Sequence, residues 1–143
     1  MIFKKAIVCA HIDGDTTVVK LENGLKERVR FIGINCPEST IKQESYGKEA
    51  AGYTKNNLFD KVIYLEKDIS DRDVYGRLLR YIWLQIPSKI SSDEIRNKMF
   101  NAILLANGYA RQATYIPDIK YSGYFGEYVK EAKVESKGIW GIV

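Results

Sequence analysis

The first third of the chain is rich in β-branched and apolar residues, a composition typical of strands. Residues 3–21 predict two strands with a sharp bend or bulge at Asp13-Gly14-Asp15. Asn23-Gly24 is a strong hairpin signal and leads into a third predicted strand over Glu27–Asn35. Cys36-Pro37-Glu38 ends this strand, because proline has no N–H group to donate to a ladder. The pattern therefore predicts a three-stranded meander.

The remaining pattern predicts two further strands and three helices. Val62–Glu66 and Arg77–Leu84 have strand composition and are joined by a charged turn over Asp68–Gly76. Apolar residues at helical spacing predict helices over three segments: Tyr46–Leu58, Ser91–Ala106 and Tyr121–Ser136. This order of elements predicts an α+β fold, a five-stranded OB-fold β-barrel with three α-helices, in a single domain over residues 1–143.

Composition narrows the class of partner only slightly. The 143 residues carry a formal net charge of +4, which suits nucleic acid but equally suits an ordinary basic protein. No apolar run approaches the roughly 18 residues that a membrane span needs. Cys9 and Cys36 have neither zinc-site spacing nor a histidine cluster, so reduced structural thiols are expected. The start of the chain lacks a secretory signal pattern, so we expect that the protein acts inside the cell or that a leader has been removed.

Asp13 and Asp15 are the first residues that suggest chemistry. Two residues apart on an extended backbone, they would point both carboxylates to one face, and Gly14 between them permits close approach. A hard divalent cation would relieve the repulsion between the two charges, which indicates a calcium or magnesium site. The alternative is a polar Asp-Gly turn without a ligand.

A second group, Arg30, Asn35 and Glu38, lies at the end of the predicted third strand. Each residue has an ordinary explanation as a surface or turn residue, so the combination is what suggests a site. Strict alternation places Arg30 and Asn35 on opposite faces, because their separation is odd. A shared site therefore requires a bend between them, for which Gly33 is the obvious position.

A third group is the turn Asp73-Val74-Tyr75-Gly76-Arg77, which places an arginine at the head of the fifth predicted strand. A guanidinium stays charged and can bind two phosphate oxygens while negative charge develops on them. The alternative for this motif alone is an ordinary surface turn.

Four motifs follow one another along the chain: Ile12–Thr16, Arg30–Glu38, Tyr46–Ala50 and Asp73–Arg77. With these motifs in this order, the chain resembles the staphylococcal nuclease (thermonuclease) family over nearly its whole length. Later segments at Asn107-Gly108-Tyr109-Ala110 and Gly138-Ile139-Trp140 also look similar.

The resemblance implies an OB barrel with three helices, a calcium cofactor, and hydrolysis of DNA and RNA to leave 3′-phosphate ends. It implies that Asp15 is a direct metal ligand, that Asn35 occupies the second side-chain ligand position and that Cys36 contributes its backbone carbonyl. Asp13 is then an acidic neighbour of the metal. Asn35 stands where the founding member has aspartate, so weaker calcium binding is expected.

The resemblance also assigns the residues around the substrate. Arg30 and Arg77 match the phosphate-binding arginines, Glu38 matches the glutamate proposed as general base or water-positioner, and Tyr75 matches a residue beside the bound nucleotide. Val74 replaces a lysine of the founding member, so contacts to nucleic acid should differ. We expect a monomer that prefers single-stranded DNA or RNA and does not act on membranes.

Two other functions fit an OB barrel. A catalytically inactive OB-fold nucleic-acid-binding module would use basic grooves and stacked aromatics without cutting the strand. The presence of Asp15, Glu38, Arg30 and Arg77 together argues against it, because a binding module does not need that set. A protein-interaction domain is the third interpretation and has the least support from these residues.

Overall fold

The computed structural model describes residues 2–38 and 45–141. Its strands in chain order are β1 (Phe3–Asp13), β2 (Thr16–Leu21), β3 (Lys26–Phe31), β4 (Ile34–Asn35), β5 (Val62–Glu66), β6 (Leu78–Trp83) and β7 (Arg111–Gln112). Its helices are α1 (Gly47–Leu58), α2 (Ser92–Lys98), α3 (Phe100–Ala106) and α4 (Ser122–Val134), followed by a 3₁₀ turn at Gly138–Trp140.

Five of the strands form a closed barrel in the order β1-β2-β3-β6-β5. Neighbouring strands are antiparallel except β3 and β6, which run parallel from Val29 opposite Leu78 to Phe31 opposite Arg80. The long strand β1 pairs with β5 through its first half and with β2 through its second half. The barrel and its helices confirm the predicted α+β fold of the OB type.

The core lies inside the barrel and between the barrel and the helices. Alternate residues of β3, such as Val29 and Phe31, point inward and are fully buried, as the period of two along a strand requires. Glu66 is a buried carboxylate in this core at 1% exposure. It accepts hydrogen bonds from Trp83 Nε1 at 2.8 Å and from the Tyr121 hydroxyl at 2.9 Å, which ties the start of α4 to the barrel.

The third strand is shorter than predicted, because the chain turns at Gly33. Gly33 has φ +81°, a conformation that glycine adopts without steric cost. The predicted strand is therefore divided into β3 and the two-residue β4, and β4 pairs with β7 instead of joining the barrel. The predicted bend at Gly33 is confirmed, and it redirects the chain at the edge of the barrel.

The prediction of three helices is wrong, since the described residues contain four. The predicted second helix is interrupted at Met99, which has extended backbone angles of φ −95° and ψ 121°. Met99 forms a bridge with Trp83, and the N–H of Leu84 donates to the Lys98 carbonyl at 2.7 Å. These contacts with the end of β6 replace helical hydrogen bonds at the break. The result is two short helices in place of one.

Buried Asn101 in α3 fixes the chain just before the Gly33 bend. Its side-chain nitrogen donates to the Ile32 carbonyl at 2.8 Å, and its oxygen accepts from the Ile82 N–H at 2.8 Å. Asn101 thus links α3 to β6 and to the residue just before the bend. No helix in the described part of the chain is long and apolar enough to cross a membrane.

Candidate active site

The turn between β1 and β2 carries the two aspartates of the first motif. Asp15 is buried, and its Oδ2 accepts from the Cys36 backbone N–H at 2.9 Å while its Oδ1 accepts from the Thr16 hydroxyl at 3.1 Å. Asp13 is half-buried, and its Oδ1 accepts from the Gly14 N–H at 2.9 Å. Asp15 therefore faces the segment that carries Cys36, where the sequence predicted a shared site.

Helix α1 holds this turn in place. A Cβ atom at Gly14 would lie 2.8 Å from the Cys36 Cβ and 3.2 Å from the Ala50 Cβ, so the contact requires glycine. The buried Thr54 hydroxyl donates to the Gly14 carbonyl at 2.6 Å. The backbone between the two aspartates is thus clamped between β4 and α1.

Arg30 contacts both predicted side-chain ligands of the metal. Its Nη2 lies 3.5 Å from Asp15 Oδ2 and donates to Asn35 Oδ1 at 3.3 Å, while its Nη1 donates to the Phe31 carbonyl at 2.9 Å. The bend at Gly33 brings Asn35 back to the side of Arg30, which strict strand alternation would not do. The two oxygens therefore converge on one positively charged nitrogen.

The donor set at this point fits a hard divalent cation. Asp15 and Asn35 supply oxygen atoms, which are the ligands that calcium and magnesium prefer. Within residues 2–38 and 45–141, no three His, Cys, Asp or Glu side chains group closely enough to hold a metal ion by themselves. A calcium ion held here would take its remaining oxygens from backbone, water or substrate.

Neither Cys36 nor His11 has the properties of a catalytic group in this site. Burial, together with the negative charge of Asp15, raises the pKa of the Cys36 thiol well above its ordinary value, so the thiol stays protonated at neutral pH. Burial lowers the pKa of His11 against the opposing effect of Asp13, so its imidazole is neutral at pH 7. The protonated, buried Cys36 thiol agrees with the structural role expected from the sequence.

The Asp73–Arg77 turn lies against a cavity of about 560 Å³. Arg30, Tyr75 and Arg77 all line this cavity, so the structure brings both predicted phosphate-binding arginines to one place. Tyr75 is 71% exposed, and the Arg77 Cζ lies 5.4 Å from the centre of its ring. The cavity thus has cationic groups and an accessible aromatic face, the combination that binds nucleotides.

Three further polar or aromatic residues line the cavity and were not singled out from the sequence: Arg72, Tyr115 and Asp118. Asp118 Oδ1 accepts from the backbone N–H groups of Ile69 at 3.1 Å and Ser70 at 2.8 Å. This contact joins the loop that carries Tyr115 to the loop that leads into the Asp73 turn. An exposed Tyr-Ile-Pro run without strand or helix periodicity was the available signal for Tyr115.

Arg30 is the residue shared by the two halves of the site. Its guanidinium contacts Asp15 and Asn35, and the residue also lines the cavity together with Arg77 and Tyr75. Glu38 is half-buried at the end of the described segment 2–38. Residues 39–44, which follow Glu38 in the chain, lie outside the described residues.

Comparison with known proteins agrees with the resemblance seen in the motifs. Residues 28–141 match the sequence profile of the family described as staphylococcal nuclease homologue. The chain is 39% identical over 133 residues to the thermonuclease of Staphylococcus intermedius and 37% identical over 133 residues to that of Staphylococcus hyicus, covering 90% of this chain and 71% of each relative. It is 36% identical over 135 residues to endonuclease YncB of Bacillus subtilis, covering 90% of this chain and 58% of that protein.

Proposed function

The chain belongs to the staphylococcal nuclease family, and we propose that it is a calcium-dependent nuclease that leaves 3′-phosphate ends on DNA and RNA. Membership of this family makes the protein a hydrolase of phosphodiester bonds in nucleic acid. The identity of the ion, the ends produced and the residue roles are the proposed parts.

The observation that carries the proposal is the position of Arg30. It contacts the oxygens of Asp15 and Asn35 and also lines the cavity that Arg77 and Tyr75 share. A phosphate in the cavity would therefore lie between two guanidinium groups and beside a cluster of oxygen ligands. Cations around a phosphate are what this reaction requires, because negative charge develops on the phosphate oxygens.

The residues divide the reaction between them. Asp15, Asn35 and the Cys36 carbonyl would hold a calcium ion, with Asp13 nearby, and the ion would supply positive charge at the phosphate. Glu38 accepts a proton from the attacking water while the oxygen of that water bonds to phosphorus. The bond from phosphorus to the 5′ oxygen breaks, the leaving 5′ oxygen takes up a proton from solvent, and a 3′-phosphate remains. Arg30 and Arg77 bind the phosphate oxygens throughout.

The exposed ring of Tyr75 supports unpaired strands as the proposed substrates. Tyr75 offers an exposed ring face on which a base can stack, and the bases of a duplex have their faces covered by neighbouring pairs. We therefore propose single-stranded DNA and RNA as preferred substrates and a monomer as the active form.

Release of acid-soluble nucleotide from single-stranded DNA and RNA, with calcium and with a chelator, tests the proposal. Arg30→Ala and Arg77→Ala should lower the rate by about 100- to 1,000-fold each. Arg96→Ala is the matched control, since Arg96 in α2 pairs with Glu131 away from the site. A phosphatase-sensitive 3′ end on a labelled oligonucleotide checks the products. Binding of both substrates without cleavage would favour the inactive OB-fold module instead.

A further inference from the structure

Asp73 closes the tight turn that carries Tyr75 and Arg77. Its backbone N–H donates to the Arg77 carbonyl at 2.9 Å, and its carbonyl accepts from the Gly76 N–H at 3.1 Å. Its side-chain Oδ1 accepts from the backbone N–H groups of Tyr75 at 2.9 Å and Arg77 at 3.0 Å. One carboxylate oxygen is therefore enough to hold the turn.

The second carboxylate oxygen of Asp73 has a different partner. Oδ2 accepts from the side-chain Nε of Arg77 at 2.7 Å. Within the described residues, the terminal nitrogens of Arg77 make no hydrogen bond, and the side chain lines the cavity beside Arg30. A guanidinium held through Nε keeps both terminal nitrogens for a planar contact with an anion.

The surroundings keep this arrangement ionised. Partial burial of the Asp73 carboxyl raises its pKa, but the hydrogen bonds from Arg77 and Tyr75 outweigh that effect and leave the pKa below its ordinary value. The Tyr75 ring lies under the Arg77 guanidinium, which adds a second restraint on the orientation of the cation. Carboxylate, guanidinium and ring thus form one fixed unit at the cavity wall.

We infer that Asp73 is a positioning residue for Arg77, an inference that rests on the proposed function. Asp73 holds Arg77 by Nε so that its terminal nitrogens stay available to the phosphate in the cavity. In this role Asp73 acts through Arg77 and not directly on the phosphate. Orientation of this kind acts on the chemical step, because a guanidinium already in place loses little freedom when the transition state forms.

Arg28 and Arg72 hold the backbone of the turn independently of the Asp73 side chain. Arg28 Nη2 donates to the Tyr75 carbonyl at 3.2 Å, and Arg72 Nη1 donates to the Gly76 carbonyl at 2.9 Å while pairing with Glu27. They hold the backbone of the turn from the side of β3. In Asp73→Asn the amide oxygen can still accept the two backbone N–H groups, so the variant removes the contact with Arg77 Nε and little else.

The experiment compares Asp73→Asn, Arg77→Ala and the double variant in steady-state cleavage of single-stranded DNA. Asp73→Asn should lower kcat by about 100-fold with KM changed no more than about threefold. In the Arg77→Ala background the same change should have no further effect on kcat, since Asp73 acts through Arg77. Asp71→Asn is the matched control. Asp71 lies on the same loop as Asp73 and pairs with Arg80, but it does not line this cavity.

Arg77→Lys is a second variant, which leaves residue 73 as aspartate. It keeps the positive charge but has no Nε–H to be held, so its kcat should fall to the level of Asp73→Asn. Parental kcat in Asp73→Asn or in Arg77→Lys, or multiplicative losses in the double variant, would overturn the positioning inference alone. No cleavage by the parent protein would instead overturn the proposed function on which the inference rests.

Discussion

Arg30 Nη2 lies 3.5 Å from Asp15 Oδ2 at the start of β2, close enough for the guanidinium to compete with a metal ion for that oxygen. The same nitrogen donates to Asn35 Oδ1. Arg30 therefore offsets part of the negative potential that would attract calcium, even though the proposed reaction needs its charge at the phosphate.

The first prediction is that Arg30→Ala changes calcium binding and turnover in opposite directions. Loss of the competing charge should lower the calcium midpoint, the calcium concentration that gives half of the maximal effect, by about tenfold, which is equivalent to about 1.4 kcal/mol. Turnover should fall by about 100-fold or more. Calcium-dependent melting and nuclease rate measure the two effects. Arg30→Lys keeps the charge and should leave the calcium midpoint near the parental value. A higher calcium concentration at the midpoint for Arg30→Ala would contradict this competition.

The second prediction concerns Asn35→Asp. The added charge at a ligand oxygen should lower the calcium midpoint about tenfold. Repulsion from Asp13 and Asp15 would by itself make this carboxylate destabilise the calcium-free protein, but Arg30 Nη2 lies 3.3 Å from Oδ1 of residue 35. We therefore expect the melting temperature without calcium to change by only about 2 °C.

Two variants sharpen this test. Asn35→Ala should raise the calcium requirement, because it removes the ligand oxygen. Combining Asn35→Asp with Arg30→Ala should lower the melting temperature without calcium, since the new carboxylate then lacks its cation. An unchanged calcium midpoint in both Asn35→Asp and Asn35→Ala would exclude Asn35 as a ligand.

The strands and the bend at Gly33 could be predicted because local signals carry them. Strand composition predicted the five barrel strands, and the odd separation of Arg30 and Asn35 required a bend. The break at Met99 could not be predicted, because its apolar stripe continues at helical spacing. The break depends on pairing with Trp83, a contact between residues far apart in the chain.

The contacts around the cavity could not be predicted either, because they also join residues that are far apart in the chain. Asp118 joins the Tyr115 loop to Ile69 and Ser70, which lie 49 and 48 residues earlier in the chain. Arg72 reaches Glu27 across 45 residues. Such contacts follow from the closure of the barrel and have no periodic signal in the sequence. The resemblance of the motifs identified the residues with proposed catalytic or binding roles. The contacts that hold these residues in place depend on the three-dimensional fold and could not be predicted from the motifs.

The third prediction concerns the contact of α1 with the turn between β1 and β2, which carries Asp13 and Asp15. Thr54→Val keeps the shape of the side chain but removes the 2.6 Å hydrogen bond to the buried Gly14 carbonyl. An unsatisfied buried carbonyl should cost about 1–3 kcal/mol of unfolding free energy, and calcium binding should weaken because the Asp15 turn is less constrained. Urea unfolding with and without calcium measures both. Thr54→Ser keeps the hydroxyl and should retain parental calcium binding; equal calcium affinity in Thr54→Val would limit the clamp to stability.

The last prediction separates backbone strain from steric contact at the Gly33 bend. Gly33 and Gly24 have similar positive φ angles of +81° and +88°. A Cβ at Gly24 would meet nothing within 4 Å, whereas a Cβ at Gly33 would lie 2.6 Å from the Cε2 atom of Phe125. Gly24→Ala should therefore cost about 1–2 kcal/mol from the left-handed backbone alone. Gly33→Ala should cost about 1–3 kcal/mol more, because the Phe125 ring or the bend must shift.

The two variants should also differ in function. A shift of the bend would move Asn35 relative to Arg30, so Gly33→Ala should raise the calcium midpoint and lower turnover at saturating calcium. Gly24→Ala lies in the β2–β3 hairpin turn and should leave both values at the parental level once the protein is folded. Denaturant unfolding and calcium titrations of the nuclease rate on both variants provide the comparison. Equal stability losses and parental calcium midpoints in both variants would mean that the packing of Phe125 does not hold the bend, and that another contact, such as Asn101 with the Ile32 carbonyl, sets the position of Asn35.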